Sequence, residues 1–279
     1  MTDTLTGKAA GKVWFVGAGP GDPELITVKG QRLIAAADAI VYAGSLVPRE
    51  VLAGARPGVP VVDSAPLSLA ETHALLRDCA AKGGLAVRVH TGEPSIYGAV
   101  REQAALLDAE GIAWDVVPGV SSAFATAAAA RVSFTVPGGP QTFILTRLSG
   151  RTPVPESESL PSLAAHGAAM AVLLSAGEPE RVQAELLQGG YASETAIVLG
   201  HKVGWPGGEV VHAKLGALAQ TAREHGFTRQ TVFLVLPGQD IEAEASRSKL
   251  YDASFTHGWR EAEEQDAPGP EASELKGGV

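Results

Sequence analysis

Apolar residues in this chain fall into short runs closed by glycine and proline, with stretches of helical period between them. Lys12-Val13-Trp14-Phe15-Val16 runs into Gly17-Ala18-Gly19-Pro20-Gly21-Asp22-Pro23, the pattern of a buried strand stopping at a glycine turn. Val28, Leu33 and Ile34 then give a helix between Thr27 and Ala37. Strands are predicted at Ala39 to Tyr42, Pro60 to Asp63, Leu85 to Val89 and Ile112 to Val117. Helices are predicted at Val47 to Leu52, Leu69 to Ala81, Ile96 to Leu107 and Ser122 to Ala130. The pattern breaks at VSFTVPGGPQ (Val132 onward) and resumes after it. Strands are expected at Thr142 to Leu145, Met170 to Leu174, Thr195 to Leu199 and Thr231 to Leu236. Helices are expected near Leu163, at Pro179 to Leu187 and at Leu215 to Glu224, with Val210 to Ala213 a possible hairpin arm.

Strands alternating with helices argue for an α/β fold of two domains, each a mostly parallel sheet flanked by helices, with a ligand cleft between them. The expected division is 1–136, 137–247 and a C-terminal segment 248–279. Its acidic end, beyond Arg260, carries Glu, Asp, Pro and Gly in place of a core and reads as a dispensable solvated tail.

Composition narrows the chemistry. Lys and Arg number 22 against 31 Asp and Glu, a net charge of −9 over 279 residues. Such a balance, without a basic block, argues against nucleic acid and anionic membranes as partners. Aromatics at 5 % leave little for base stacking. The single cysteine, Cys79, excludes a disulfide framework and reads as a core residue. No apolar run approaches the roughly 18 residues of a membrane span, and MTDTLTGKAAGK has no signal-like apolar stretch. A soluble cytoplasmic protein is expected. The seven His are scattered without HExxH or a His/Cys cluster, so no metal site is expected.

Three turns carry candidate chemistry. GAGPGDP (Gly17 to Pro23) sits where a dinucleotide fingerprint would, but Asp22 replaces its last glycine and no acidic residue closes the second strand. Thr91-Gly92-Glu93-Pro94-Ser95-Ile96-Tyr97-Gly98 follows the Leu85 strand, and Pro118-Gly119-Val120-Ser121-Ser122 follows the next. Each alone reads equally as a capped helix start. Three glycine turns at carboxyl ends of strands in one sheet describe a crevice. Asp22, Glu24 and Glu93 form a possible carboxylate set, with solvated turn residues as the alternative reading.

In this order the turns resemble those of the tetrapyrrole (corrin/porphyrin) methyltransferases, which use S-adenosylmethionine. The resemblance runs through VYAGSLVP (Val41 to Pro48), ILTRLSGRTPVPE (Ile144 to Glu156), GHKVGWP (Gly200 to Pro206) and SKLYDASFTHGWR (Ser248 to Arg260). Several of these segments are similar to the branch that methylates precorrin-4 at C11 in cobalamin synthesis, with the cobalt-bearing macrocycle, or another precorrin or uroporphyrinogen methyltransferase, as the alternative.

The resemblance implies a homodimer that binds S-adenosylmethionine as methyl-donor cosubstrate, without a metal, and a tetrapyrrole substrate. Position by position it places Pro20, Thr91, Gly92, Glu93, Ile96, Ser121, Ser122, Leu174, Val203, Thr231 and Val232 at the donor. Ser45, Tyr97, Arg101 and Arg147 are substrate candidates, and Arg49, Arg131 and Lys202 are further cations for its carboxylates. Glu93 stands where the family usually has Asp, and Leu174 where some members have Met. Ala43 stands where uroporphyrinogen methyltransferases carry a proposed base, so no catalytic residue is assigned. A nucleotide-dependent enzyme and a non-catalytic tetrapyrrole-binding module remain as the other classes.

Overall fold

The computed structural model describes residues 11–239, 248 and 254–261. The expected tail and most of the segment from 248 lie outside the described residues.

The first half runs β1 (Lys12–Gly17), α1 (Val28–Ala36), β2 (Ala39–Tyr42), β3 (Val61–Asp63), α2 (Leu69–Ala81), β4 (Leu85–His90), α3 (Val100–Ala109) and β5 (Ala113–Val117). Strands and helices alternate except between β2 and β3, where the helix expected at Val47 to Leu52 is only a 3-10 turn, Arg49–Leu52. Its strands form one sheet in the order β3-β2-β4-β1-β5, every pair parallel. The chain leaves β1 toward β2 but leaves β4 in the opposite direction toward β5. The neighbouring carboxyl ends of β1 and β4 therefore open a crevice, where α/β sheets bind ligands.

Alternating side chains fill both faces. Trp14, Val16, Val87 and Val89 pack with Leu33 and Ile34 of α1, while Val13, Phe15 and Ala86 pack with Leu76 and Leu107 of α2 and α3. Burial on both faces explains why these strands read as unbroken apolar runs. Local signals set the helix starts. Thr27 caps α1, and Ser68 with Glu71 forms a reciprocal capping box on α2.

The second half comprises α4 (Ser122–Ala130), β6 (Phe143–Arg147), α5 (Leu160–Ala164), β7 (Ala169–Leu173), α6 (Pro179–Gln188), β8 (Ala196–His201), β9 (Glu209–Lys214), α7 (Leu218–Glu224) and β10 (Thr231–Leu236). Its sheet runs β6-β7-β10-β8-β9. Here the expectation of a mostly parallel sheet is corrected. Only β6 and β7 are parallel; β10 is antiparallel to both neighbours, and β8 and β9 form a hairpin. The short loop from β8 to β9 leaves no room for a crossover helix, so antiparallel pairing is forced. Strand β10 is buried throughout: Phe233 and Val235 face α6 and α7, and Val232, Leu234 and Leu236 face α4.

Helix α4 precedes residue 136 in sequence yet packs on the second sheet, through Ala123, Ala127 and Ala130 against Ala171, Val198 and Leu234. Its alanines let helix and sheet approach closely. Cys79 is half-buried beside the α2 core, as a packing residue would be.

The other local difference lies before α3. The helix expected from Ile96 begins only at Val100, because Tyr97 and Ala99 adopt left-handed backbone with φ of 55° and 52°. Pro94 therefore sits in a turn rather than at a helix start.

Candidate active site

The two sheets face each other across a cavity of about 520 Å³. Backbone packing shapes its first wall. The amide of Gly19 donates to the Gly92 carbonyl at 3.3 Å and the amide of Gly92 to the Gly19 carbonyl at 2.8 Å, tying the first turn to the second. A Cβ on Gly119 would lie 2.1 Å from the Gly92 oxygen and 2.8 Å from the Gly17 Cα. Gly17 and Gly119 thus serve contact between turns, and neither lines the cavity. Gly92 does line it, with φ of 58° and no atom within 3.7 Å of an added Cβ. Its glycine requirement is therefore one of conformation, not of space.

Glu93 completes this lock. One carboxylate oxygen accepts from the Ser95 amide at 3.0 Å and the other from the Gly119 amide at 2.8 Å. Burial pushes its pKa up, but these backbone bonds outweigh burial and hold it below the ordinary range. A carboxylate so engaged clamps two turns together and is not a free base. Asp22 and Glu24 do not join it: Asp22 caps the short turn after β1 by accepting from the Glu24 amide, and Glu93 alone of the three lines the cavity.

All eleven residues expected at the donor open onto this one cavity. Pro20 comes from the first turn, Thr91, Gly92, Glu93 and Ile96 from the second, and Ser121 and Ser122 from the third. The second sheet contributes Leu174, Val203, Thr231 and Val232. They reach it because β10 runs opposite to β7 and β8, which brings its amino end to the edge where β7 and β8 finish.

The substrate candidates divide. Tyr97 lines the cavity and also an adjoining open groove of about 1110 Å³, where Arg101, Arg147 and Arg151 lie. Arg147 spends donors on its own loop, to the carbonyls of Leu148 (3.0 Å), Thr152 (2.8 Å) and Pro153 (3.2 Å). Ser45 lies on neither surface; its carbonyl accepts from Gln230 Nε2 at 3.2 Å, one bridge between the halves. Lys202 lines the cavity, whereas Arg131 ends α4 and Arg49 is exposed in the turn after β2.

Sequence reasoning missed four features. Arg88 and His90, two residues apart on one face of β4, line the cavity although both are buried. Burial, then the Arg88 charge, lowers the His90 pKa to about 3, while burial lowers that of Arg88 only to about 10. His90 is therefore neutral and Arg88 cationic at neutral pH. The buried side-chain atoms without a partner among the described residues, Arg88 Nη1, His90 Nε2 and Thr126 Oγ1, all belong to residues of this one cavity. Of the non-glycine residues with left-handed backbone, Tyr97, Ala99, Leu174, Lys202 and Gln230 line it as well, and such strain concentrates at functional sites. Lastly, Trp205 reaches from the β8–β9 loop to donate to the Pro20 carbonyl at 3.0 Å and cover Gly21. An apolar run rich in strand formers gave no signal for Arg88 or His90 beyond their placement at the end of β4.

The sequence model of the tetrapyrrole (corrin/porphyrin) methylases matches residues 12–219, which spans both sheets up to α7. The chain belongs to this methylase family. It is 43 % identical over 251 residues to a cobalt-precorrin-4 C(11)-methyltransferase of Priestia megaterium, covering 89 % of this chain and 97 % of that protein. It is 42 % identical over 252 residues to a precorrin-4 C(11)-methyltransferase of Pseudomonas aeruginosa, covering 90 % and 99 %. Among solved structures it resembles a cobalt precorrin-4 methyltransferase of cobalamin biosynthesis, with a TM-score of 0.78 and 42 % identity over 81 % of this chain and 94 % of that one. It also resembles a uroporphyrin-III C-methyltransferase of Thermus thermophilus complexed with S-adenosylhomocysteine, with a TM-score of 0.66 and 28 % identity over 81 % and 97 %. Among the described residues no His, Cys, Asp and Glu gather into a group able to hold a metal ion. No described helix is long and apolar enough to cross a membrane.

Proposed function

We propose that this methylase transfers a methyl group from S-adenosylmethionine to C11 of precorrin-4, giving precorrin-5, in cobalamin biosynthesis. The observation that carries the reading is the single cavity between the sheets, onto which every residue expected at the donor opens. Its residues suit such a ligand: backbone turns and apolar side chains surround it, with a few buried polar atoms still free to bond. S-adenosylmethionine supplies a methyl group on a sulfonium, so the transfer needs neither a covalent enzyme intermediate nor a nucleophilic side chain. The protein's part is to hold the donor methyl and C11 in line, roughly 3 Å apart, and to exclude water. The locked turns around Gly92 and Glu93 do the first; Trp205 and the bridge from Gln230 to Ser45 do the second.

The open groove beyond Tyr97 suits the macrocycle, whose carboxylates would meet Arg101 and Arg151, with Arg147 held by its own loop. A second reading, the cobalt-bearing macrocycle as substrate, has its own support. Relatives named for each substrate match at nearly equal identity, 43 % and 42 %.

Incubation with S-adenosylmethionine and precorrin-4, with and without cobalt, tests both readings. Product mass rising by one methyl in one arm identifies the substrate, and no rise in either arm overturns the assignment. The demethylated donor at about 100 times its dissociation constant should stabilise the fold by about 2.7 kcal/mol, read as a thermal shift that NAD does not reproduce.

The remaining features belong to the same reading: a homodimer in the cytoplasm, with units 1–136 and 137–247 enclosing the cleft and 248–279 following. Pairing of two copies is supported by the exposed Phe124 ring, which packs on Phe134 and Phe143 at the edge of the second sheet. Sedimentation of the intact chain tests it.

A further inference from the structure

We propose that the Arg88 guanidinium is the anion receptor of the cavity, forming a charge-assisted hydrogen bond to a carboxylate of the bound ligand. Arg88 stands at the centre of the first sheet, on β4 between β2 and β1, and only 9 % of it is exposed. Its Nη1 is buried with no partner, and no carboxylate pairs with it among the described residues. The carboxylates nearby are already engaged. Asp63 accepts from the amides of Gly44 (2.9 Å) and Ala65 (2.8 Å) on one oxygen and acts on Arg88 only as a charge at a distance, a smaller effect than burial, while Glu93 is bound to Ser95 and Gly119. A cation removed from water without a hydrogen-bonded counter-ion is costly, and an entering carboxylate relieves that cost where low polarity strengthens the attraction.

The guanidinium is also held in place from behind. Its Nε donates to Gln103 Oε1 at 3.2 Å, while Gln103 Nε2 donates to the Ala99 carbonyl at 3.0 Å. Gln103 thus couples Arg88 to the strained turn that borders the groove. His90 beside it stays neutral and adds no charge, which leaves Arg88 as the one buried cation of the wall.

This inference rests on the methyl-transfer reading, under which two ligands bring carboxylates: the amino-acid end of the donor and the acid side chains of the macrocycle. Calorimetric titration of Arg88→Met and the native protein distinguishes them. The probes are S-adenosylhomocysteine, 5′-methylthioadenosine (which lacks the amino-acid carboxylate) and uroporphyrin III (a polycarboxylate tetrapyrrole). An affinity loss of at least 10-fold for S-adenosylhomocysteine, with methylthioadenosine unchanged, supports the proposal with the donor as source. The same loss confined to uroporphyrin III supports it with the macrocycle as source. Unchanged affinity for both carboxylate ligands overturns it, and so does equal weakening of all three, which would mark a structural role. Should Arg88→Met fail to fold, Arg88→Lys keeps the charge but loses the planar fork. It should weaken one carboxylate ligand severalfold and spare methylthioadenosine, and no change in either would overturn the proposal. A native protein that binds none of the probes would instead count against the methyl-transfer reading itself.

Discussion

The two walls of the cavity do the same work by different means. The first is built from carboxyl ends of parallel strands, and its turns are pressed together so closely that Gly17 and Gly119 admit no side chain. The second takes the carboxyl ends of β7 and β8 and the amino end of β10, and its turn after β7 is looser. Ala on Gly177, for example, would meet nothing nearer than the Thr228 oxygen at 3.8 Å. Non-glycine residues in left-handed backbone shape three places of the second wall, Leu174, Lys202 and Gln230, against the one turn at Tyr97 and Ala99 in the first, each costing on the order of 1–2 kcal/mol. Close packing permits glycine alone, whereas strain permits many residues when the surrounding fold holds it. The first wall should therefore be rigid and intolerant, and the second more permissive.

The sharpest way to break that contrast is to add one methyl to each wall. Gly119→Ala places a Cβ within 2.1 Å of the Gly92 carbonyl oxygen and against the Gly17 backbone, neither of which is the end of a flexible side chain. Overpacking against backbone should cost at least about 3 kcal/mol, at the upper end for such substitutions. Gly177→Ala, without a left-handed φ or a close neighbour, should leave stability unchanged or raise it by up to about 1 kcal/mol. Urea unfolding of both variants checks the pair; equal losses would mean the walls do not differ in this way.

The same contrast explains what was legible in the sequence. Glycine turns at strand ends mark close backbone approach, so GAGPGDP, the turn at Gly92 and PGVSS announced the first wall. The antiparallel β10 did not announce itself, since Thr231 to Leu236 is apolar on both faces and such a run carries no direction. Left-handed Leu174 and Gln230 left no trace either, because their residue types do not demand that conformation. Helix α4 carries an alanine stripe that fits either sheet, and its partner is fixed only by three-dimensional closeness. Residues reached through the family resemblance in the second half, such as Val203 and Thr231, could not have been chosen by spacing alone.

The first wall also holds a buried histidine, His90, which separates it from the second in acid. The His90 pKa is about 3 in the fold against about 6.5 in an unfolded chain. Below pH 6.5 the unfolded chain therefore takes up a proton that the folded one refuses. Stability from this source is complete above pH 6.5 and falls as pH drops, by about 1.4 kcal/mol per pH unit, or about 2 kcal/mol by pH 5. Asp38 and Glu71, held below their ordinary values by hydrogen bonds, add losses of the same sign at lower pH. His90→Gln should remove the His90 share and flatten the profile between pH 6.5 and 5. A variant whose unfolding free energy falls as steeply as that of the native protein would show that His90 does not stay neutral in the fold.

The smallest expected effect lies where the walls touch. Trp205, on the second, donates its indole N–H to the Pro20 carbonyl on the first at 3.0 Å and lies over Gly21. Trp205→Phe keeps an aromatic ring over Gly21 but leaves that carbonyl without its donor. One neutral hydrogen bond of this kind contributes about 1 kcal/mol. Part of that loss should appear in ligand binding, because the bond spans the cavity that the ligand fills. Affinity for S-adenosylhomocysteine should fall by up to about 5-fold, and the unfolding free energy by no more than about 1 kcal/mol. If the first wall is rigid by itself, Gly119 and its neighbours hold their shape in this variant and the affinity loss stays within that range. A loss of 100-fold or more in titration calorimetry would mean that the glycine turns depend on Trp205 for their form, and the two walls would then be one coupled element.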